Sequence, residues 1–314
     1  MGLLKESIAI FAGISKEELE ALVNKAQHTY KRYYIPKKSG GSRRIHHPSS
    51  ETKLIQYILI DILLEKLSIH HLATGYRENV SIKDNVNYHK DYEYSIRMDF
   101  RNFFPSIKFG DLKRILAKSG IEKKYSLSDE DYELIKQTCF TKETNGLAVG
   151  APCSPIISNS IMFDFDSELE SRTKSLNPDS IFTRYADDIV FSTNKEGECE
   201  KFENLMEDIV EENESPDLEI HDGKTYYMSR ANKKMITGLI VTPDGKISIG
   251  RDNKRYIKKL VFDYKNNQLS EEKTKYLTGY LSYILDVEPS FYNSLVQKYS
   301  AETMELIKRE AFVD

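Results

Sequence analysis

The chain has 314 residues, 39% of them hydrophobic and 30% charged, with a net charge of −4. That suffices for a sizeable core in one large or a few small domains; no apolar run approaches the roughly 20 residues that cross a bilayer, and the acid-containing N-terminal stretch does not read as a secretory signal. Cys139, Cys153 and Cys199 show neither zinc spacing nor a disulfide framework, so a reducing cytoplasmic setting is expected.

Residues 1–30 read as helical, with Ser15 as a cap, Glu18 three positions on, and Leu19, Leu22 and Val23 on one face. Two short strands are expected over 31–47 around a Ser-Gly-Gly turn. Pro48-Ser49-Ser50 opens a helix through ETKLIQYILIDILLEKL. A further helix is expected to begin within Ser81–His89, then a short strand over Tyr94–Met98 ending at Asp99. Helices follow at Asp111–Lys118 and Asp129–Phe140, and a long apolar one at Cys153–Arg172, entered through Gly150-Ala151-Pro152. Strands are predicted at Ile181–Tyr185 and Ile189–Thr193, then an acidic helix at Phe202–Glu212. A hairpin of Met235–Val241 with Lys246–Gly250 is expected across Pro243-Asp244-Gly245, and mostly helix from Asn253 to Phe312. No repeat and no Pro/Gly/Ser linker appears in the sequence, so one compact body with packed subdomains is expected.

Charge is unevenly distributed. Glu196–Asp222 holds twelve acids and one base, Lys201, whereas Gly223–Lys265 holds eleven Lys/Arg and three Asp. A second basic cluster, KRYYIPKKSGGSRR, covers Lys31–Arg44. Either cluster alone reads as a solvated face; two, interleaved with tyrosines, point towards a polyanion.

The stretch TRYADDIVFS places Asp187 and Asp188 between two strand-forming runs. Adjacent strand residues face opposite sides, so both carboxylates belong at the tip of a hairpin. They serve there either as turn formers or as ligands. Asp99, at the end of an apolar strand in SIRMDFRNFFPSI, is by itself an ordinary helix cap. Taken together, three carboxylates from two strand ends suffice for two Mg²⁺ ions, which favour hard oxygen ligands and substrate phosphates and support in-line phosphoryl displacement.

With these residues in view, the chain resembles the reverse transcriptases. RYADD resembles their Tyr-x-Asp-Asp signature, DFRNFFPSI their first catalytic block, GLAVGAPCSPIISNSIM the nucleotide-supporting block, GGSRRIHHPSS the fingers block and LEIHDGKT the later lysine block, in matching order from about residue 30 to 250. Asn85–His89, NVNYH, resembles the Asn-Ala-x-x-His element of bacterial retron enzymes, and Ile236–Val241, ITGLIV, their Val-Thr-Gly element. The resemblance implies an α+β right-hand polymerase fold: an N-terminal helical segment (1–30), fingers and palm with an antiparallel sheet plus helices (31–250), and a helical thumb and RNA-binding region (251–314). It further implies an RNA-directed DNA polymerase that copies its own structured non-coding RNA into branched single-stranded DNA. Priming would be from a guanosine 2′-OH, dNTPs the substrates, and a nearby-encoded effector protein the partner in anti-phage defence, with no membrane involved.

By the same resemblance Asp99, Asp187 and Asp188 are the catalytic metal ligands, with the main-chain carbonyl of Phe100 completing one coordination sphere. Phe104 stands at the steric-gate position that rejects a ribose 2′-OH; Phe103 or Phe104 is expected in the core. Arg43 aligns with the fingers arginine that grips the triphosphate, with Lys37 or Lys38 adding charge. Gly150 permits close backbone approach to the nucleotide, beside Val149 where many relatives carry Gln. Lys224 aligns with the lysine proposed to protonate the leaving pyrophosphate, or is a surface lysine. Arg251, Lys254, Arg255, Lys258 and Lys259 form a phosphate-tracking helix face. Tyr256, Tyr276, Tyr280 and Tyr283 either stack on bases or pack helices. Asn85 and His89 either position nucleic acid or finish a helix end. The acidic helix is a candidate protein-contact face. Rival readings are an intron or abortive-infection reverse transcriptase, a palm-type nucleotide cyclase, and a non-catalytic RNA-binding scaffold.

Overall fold

The computed structural model describes residues 3–36 and 40–309. Lys37 and Lys38, expected to add charge near a triphosphate, lie outside the described residues, as does Ser39 of the Ser-Gly-Gly turn. The strands are β1 (Lys31–Pro36), β2 (Ser42–His47), β3 (Tyr94–Asp99), β4 (Ile181–Tyr185), β5 (Asp188–Thr193), β6 (Tyr226–Ser229), β7 (Lys234–Ile236), β8 (Leu239–Val241) and β9 (Ile247–Ser248). With the helices they make an α+β chain in two compact units. One comprises Met1–Val80, Ile96–Phe191 and Gly197–Tyr226; the other comprises Ser81–Ser95, Ser192–Glu196 and Tyr227–Asp314. No helix among the described residues is long and apolar enough to cross a membrane, and Cys139, Cys153 and Cys199 are buried and form no disulfide among the described residues.

The first unit starts with helices Leu3–Ala12 and Lys16–Ala26, the second opened by the expected reciprocal capping of Ser15 and Glu18. Leu19, Val23 and Ala26 are buried, as are Ile55 and Leu59 of helix Ser50–Ile62 and Leu134 and Ile135 of helix Asp129–Cys139. β1 and β2 pair antiparallel, Ile35 opposite Arg43, and β1 is exposed along its whole length.

The central sheet has the order β4-β5-β3-β6, and the first unit holds it as far as Phe191 and Tyr226. Ile96, Met98, Ile189, Val190 and Phe191 are buried, and Phe191 stacks on Phe202 of helix Glu198–Glu212 with ring centroids 4.3 Å apart. The expected single helix Cys153–Arg172 is two, Ser154–Ile161 and Phe163–Leu176, meeting at Met162 with ψ 0°. Ser158 and Ser160 turn their hydroxyls onto the carbonyls of Pro155 and Ile156, and such back-bonding bends a helix.

In the second unit, Ser81 and Asp84 cap helix Ile82–Asn87 reciprocally. The expected strand Met235–Val241 is a hairpin instead, Ile236 facing Leu239, because Thr237 and Gly238 both take positive φ (45° and 85°), as a tight primed turn requires. β9 completes this sheet beside β8. Helices Arg251–Lys265, Glu271–Val287, Pro289–Tyr299 and Ala301–Arg309 follow, burying Ile257, Leu260, Leu277, Leu281, Leu295 and Ile307.

Candidate active site

β4 and β5 are joined by the two residues Ala186 and Asp187, so the aspartate pair sits at a hairpin tip, as the alternation argument required. Ala186 has φ +57°, a conformation L-residues adopt at a cost. The end of β3 is stitched to this tip: the Phe100 N–H donates to the Asp187 carbonyl (3.0 Å), and the His221 N–H donates to the Asp99 carbonyl (2.8 Å). Asp99 thereby joins the other two carboxylates within the first unit. Its side chain is buried and paired with the Lys224 ammonium.

The electrostatics of this tip are unbalanced. Burial, then the Asp99 charge, pushes the Asp187 carboxyl above the usual range, while Lys224 and Arg43 pull it down. Asp188 is pushed up to about 6, chiefly by burial and further by Asp187 and Asp99, against the pull of Arg97. Arg97 Nε stands 3.6 Å from Asp188 Oδ1, too far for a hydrogen bond, and both atoms are buried without a hydrogen-bond partner. A buried carboxylate oxygen without a hydrogen bond, with only the Arg97 charge near it, is costly and is the donor that a hard divalent cation takes. The donor set therefore fits Mg²⁺.

Arg97 was not singled out from sequence. Two residues before Asp99 on the same strand, it shares a face with it; a lone arginine in an apolar strand was the available signal. Its guanidinium also covers the Tyr226 ring at 5.3 Å.

Arg43 is exposed, and its charge pulls down the Asp187 carboxyl and the Tyr76 hydroxyl. Arg44 is instead tied to Glu143 at 2.7 Å. Gly150 has φ +102°, and a Cβ there would stand 3.0 Å from Ile45 Cγ2. Val149, which has no side-chain amide to offer a substrate, accepts the His46 N–H on its carbonyl (2.9 Å) and so pins this loop to β2. Phe103 is core, and Phe104 is half-buried with its ring edge-on to Phe103 at 5.4 Å.

Gly146 holds the Phe104 turn in place: a Cβ at Gly146 would fall 2.2 Å from the Pro105 carbonyl oxygen. Gly146→Ala is expected to destabilise by about 3 kcal/mol. Thermal melting would show this as a midpoint several degrees lower; an unchanged midpoint would mean that the turn yields without cost.

Among the described residues, His70, His71 and Glu170 also have metal-ligand spacing. The Leu72 N–H points at His70 Nδ1 (3.4 Å), which places the ring proton on Nε2, facing Glu170 at 3.1 Å. His71 Nε2 stands 3.4 Å from the other Glu170 oxygen.

In the second unit, Asn85 and His89 are fully buried, which favours the helix-end reading of the two over a contact with nucleic acid. His89 Nδ1 meets Ser192 Oγ at 2.8 Å, and Ser192 meets Ser95 at 2.7 Å. Burial, with Lys234 alongside, pushes His89 down to about 3, leaving it neutral. Lys234, also fully buried, donates to the His89 and Tyr92 carbonyls. Asn85 Nδ2 approaches Thr237 Oγ1 at 3.5 Å, so the NVNYH and ITG elements pack on one another as interior structure.

On helix Arg251–Lys265, Arg251, Arg255, Lys258 and Lys259 are exposed. Lys254 is paired with Glu288 and lies over the Phe291 ring at 5.4 Å, which makes it a tie within the unit. An open groove of about 930 Å³ is lined by Lys233, Arg251, Lys254 and Arg255 among others. Tyr256, Tyr276, Tyr280 and Tyr283 form a continuous ring ladder with centroid steps of 6.2, 5.5 and 5.4 Å. Tyr256 and Tyr276 keep nearly half their surface exposed, at 44% and 47%.

Residues 35–280 match the family model described as reverse transcriptase (RNA-dependent DNA polymerase). The chain is 37% identical to the retron Ec83 reverse transcriptase of Escherichia coli, over 89% of this chain and 90% of that protein. It is 34% identical to the retron Ec73 reverse transcriptase of the same species, over 87% of each. Among solved structures, apo telomerase from Candida tropicalis superposes with a TM-score of 0.53 at 14% identity, covering 91% of this chain and 62% of that one; this likeness concerns the fold alone.

Proposed function

We propose, from the premise that this chain belongs to the reverse transcriptase (RNA-dependent DNA polymerase) family, that it copies part of its own structured non-coding RNA into short single-stranded DNA. It is an RNA-directed DNA polymerase of the retron type. In our reading, priming is from a guanosine 2′-OH, dNTPs are the substrates, and the RNA–DNA product works with an effector protein in anti-phage defence. We assign residues 31–250 to fingers and palm and 251–314 to the thumb. The observation that carries the chemistry is the cluster of Asp99, Asp187 and Asp188 on two strand ends, with the buried Asp188 Oδ1 lacking any hydrogen-bond partner.

When bound, two Mg²⁺ ions would acidify the attacking hydroxyl and neutralise charge on the leaving oxygen. Asp99 and Asp187 would hold them with the Phe100 carbonyl, and Asp188 would support the primer side. Arg43 presents its planar fork to the triphosphate, and the Gly150 backbone lets the nucleotide approach. Lys224, paired with Asp99 here, would serve as the proton donor for the leaving pyrophosphate. Arg251, Arg255, Lys258 and Lys259 track phosphates without reading sequence, while Tyr256 and Tyr276 offer stacking faces.

Phe104 is assigned the rejection of ribonucleotides. Phe104→Ala is expected to reduce discrimination between dNTP and rNTP by about 10- to 100-fold, measured as the ratio of kcat/KM values; an unchanged ratio would move the gate elsewhere. The function is tested by expressing the chain with its neighbouring non-coding region and treating the extracted nucleic acid with RNase. A DNA band of fixed length carrying an RNA branch, absent from Asp187→Ala/Asp188→Ala, supports the reading. Primed RNA-templated incorporation without that band would leave a reverse transcriptase with a different product.

A further inference from the structure

Behind the catalytic turn lies a polar cluster with no access to solvent. Arg184, the residue before Tyr185, is fully buried together with Asp166 and Asn159. Its Nε and Nη2 donate to the two carboxylate oxygens of Asp166 at 2.7 and 2.6 Å. Its Nη1 donates to Asn159 Oδ1 and to the carbonyl of Ala186, both at 3.1 Å. Asn159 Nδ2 in turn donates to the Gly75 carbonyl at 2.8 Å. Gly75 abuts the same turn: a Cβ there would stand 2.9 Å from the Ala186 nitrogen. The Thr74 N–H bonds the Arg184 carbonyl (2.8 Å) and the Arg184 N–H bonds the Leu72 carbonyl (2.9 Å).

We propose that Arg184, clamped by Asp166 and Asn159, is the positioning residue of the catalytic turn: its guanidinium holds the Ala186 carbonyl and thereby sets where the Asp187 and Asp188 carboxylates stand. The proposal rests on those aspartates being the metal-holding pair. Stability alone does not account for the cluster, because a buried ion pair is often no more stabilising than apolar residues of similar volume. The cluster provides a fixed hydrogen-bond donor at a residue held in left-handed backbone one position before Asp187. Ala186 has no side chain able to fix its own conformation. A lysine at position 184 could not serve, since it lacks the planar fork that meets carboxylate, amide and carbonyl together.

The test uses the purified full chain, oligo(dT) on poly(rA) and single-nucleotide dTTP incorporation, with a Mg²⁺ titration and a melting curve for each variant. Arg184→Met/Asp166→Leu replaces the pair by apolar residues of similar volume. Asn159→Ala leaves the ion pair and removes its bridge to Gly75. The double variant is expected to melt close to wild type and to lose about 100-fold in kcat, the scale of a small misplacement in an active site. KM for dTTP should stay within about twofold, and half-saturation should need more Mg²⁺. Asn159→Ala is expected to lose about tenfold in the same pattern. Should the double variant not fold, Asn159→Ala decides alone. A folded variant with wild-type kcat and Mg²⁺ dependence, or with only KM raised, would overturn the proposal and leave the cluster as packing. Asp187→Ala, run alongside, separates the two levels: if it retains wild-type incorporation, the metal-holding assignment itself fails.

Discussion

Replacing Asp187 by alanine is expected to reduce RNA-templated dNTP incorporation by about a thousandfold or more, roughly 4 kcal/mol of transition-state stabilisation. The side chain stands at the turn between β4 and β5, its backbone carbonyl bonded to the Phe100 N–H at 3.0 Å, so alanine removes the carboxylate and leaves the stitching intact. The loss should fall on kcat. Because the native carboxylate is desolvated beside Asp99, the variant should also melt at or above the wild-type temperature without divalent ions. Loss of activity together with lower stability would instead indicate a misfolded site. Single-turnover incorporation and melting on one preparation check both. Incorporation at the wild-type rate would remove Asp187 from the chemistry.

Divalent ions should reverse the pH dependence of stability around this site. Asp188 titrates near 6 in the folded chain against 3.8 as its ordinary value, raised mainly by burial. The folded state therefore binds more protons than the unfolded one between those values, and stability falls as pH rises through that window. Below about pH 4 the contribution is fully present, and above about pH 6 it is lost. Asp187 is raised by the same causes and adds in the same direction. Mg²⁺ binds the ionised form, so its stabilisation grows as pH rises through the same window. At a hundredfold excess over Kd the gain is about 2.7 kcal/mol, several degrees in melting temperature for a chain of this size. Melting curves at pH 4.5 and 7.5, with and without Mg²⁺, measure this directly. An equal Mg²⁺ shift at both pH values would exclude these carboxylates as the binding groups.

What could be read from the sequence was local. The cap at Ser15 and Glu18 depends on residues three apart. The strand–turn–strand around Asp187 and Asp188 follows from side-chain alternation, and five blocks in order identified the polymerase chemistry. Element boundaries held within about five residues except where buried serines split a helix at Met162 and a Thr-Gly turn split a strand at Thr237-Gly238. The first depends on serine hydroxyls bonding backbone carbonyls, the second on two successive residues of positive φ.

The sequence by itself determined the fold class and the family and singled out the three carboxylates proposed to be catalytic, because these rest on residue type, spacing and order. Only the tertiary structure decided which polar groups face inward and what they meet. Lys224 reaches Asp99 across 125 residues. Arg184 reaches Asp166 on another element. Arg97 stands beside Asp188 without bonding it. Asn85 and His89 lie fully buried, and Lys254 is already paired. The cost of burying a polar group, and the partner that offsets it, are properties of three-dimensional neighbours. Sequence spacing does not encode those neighbours once they come from distant parts of the chain.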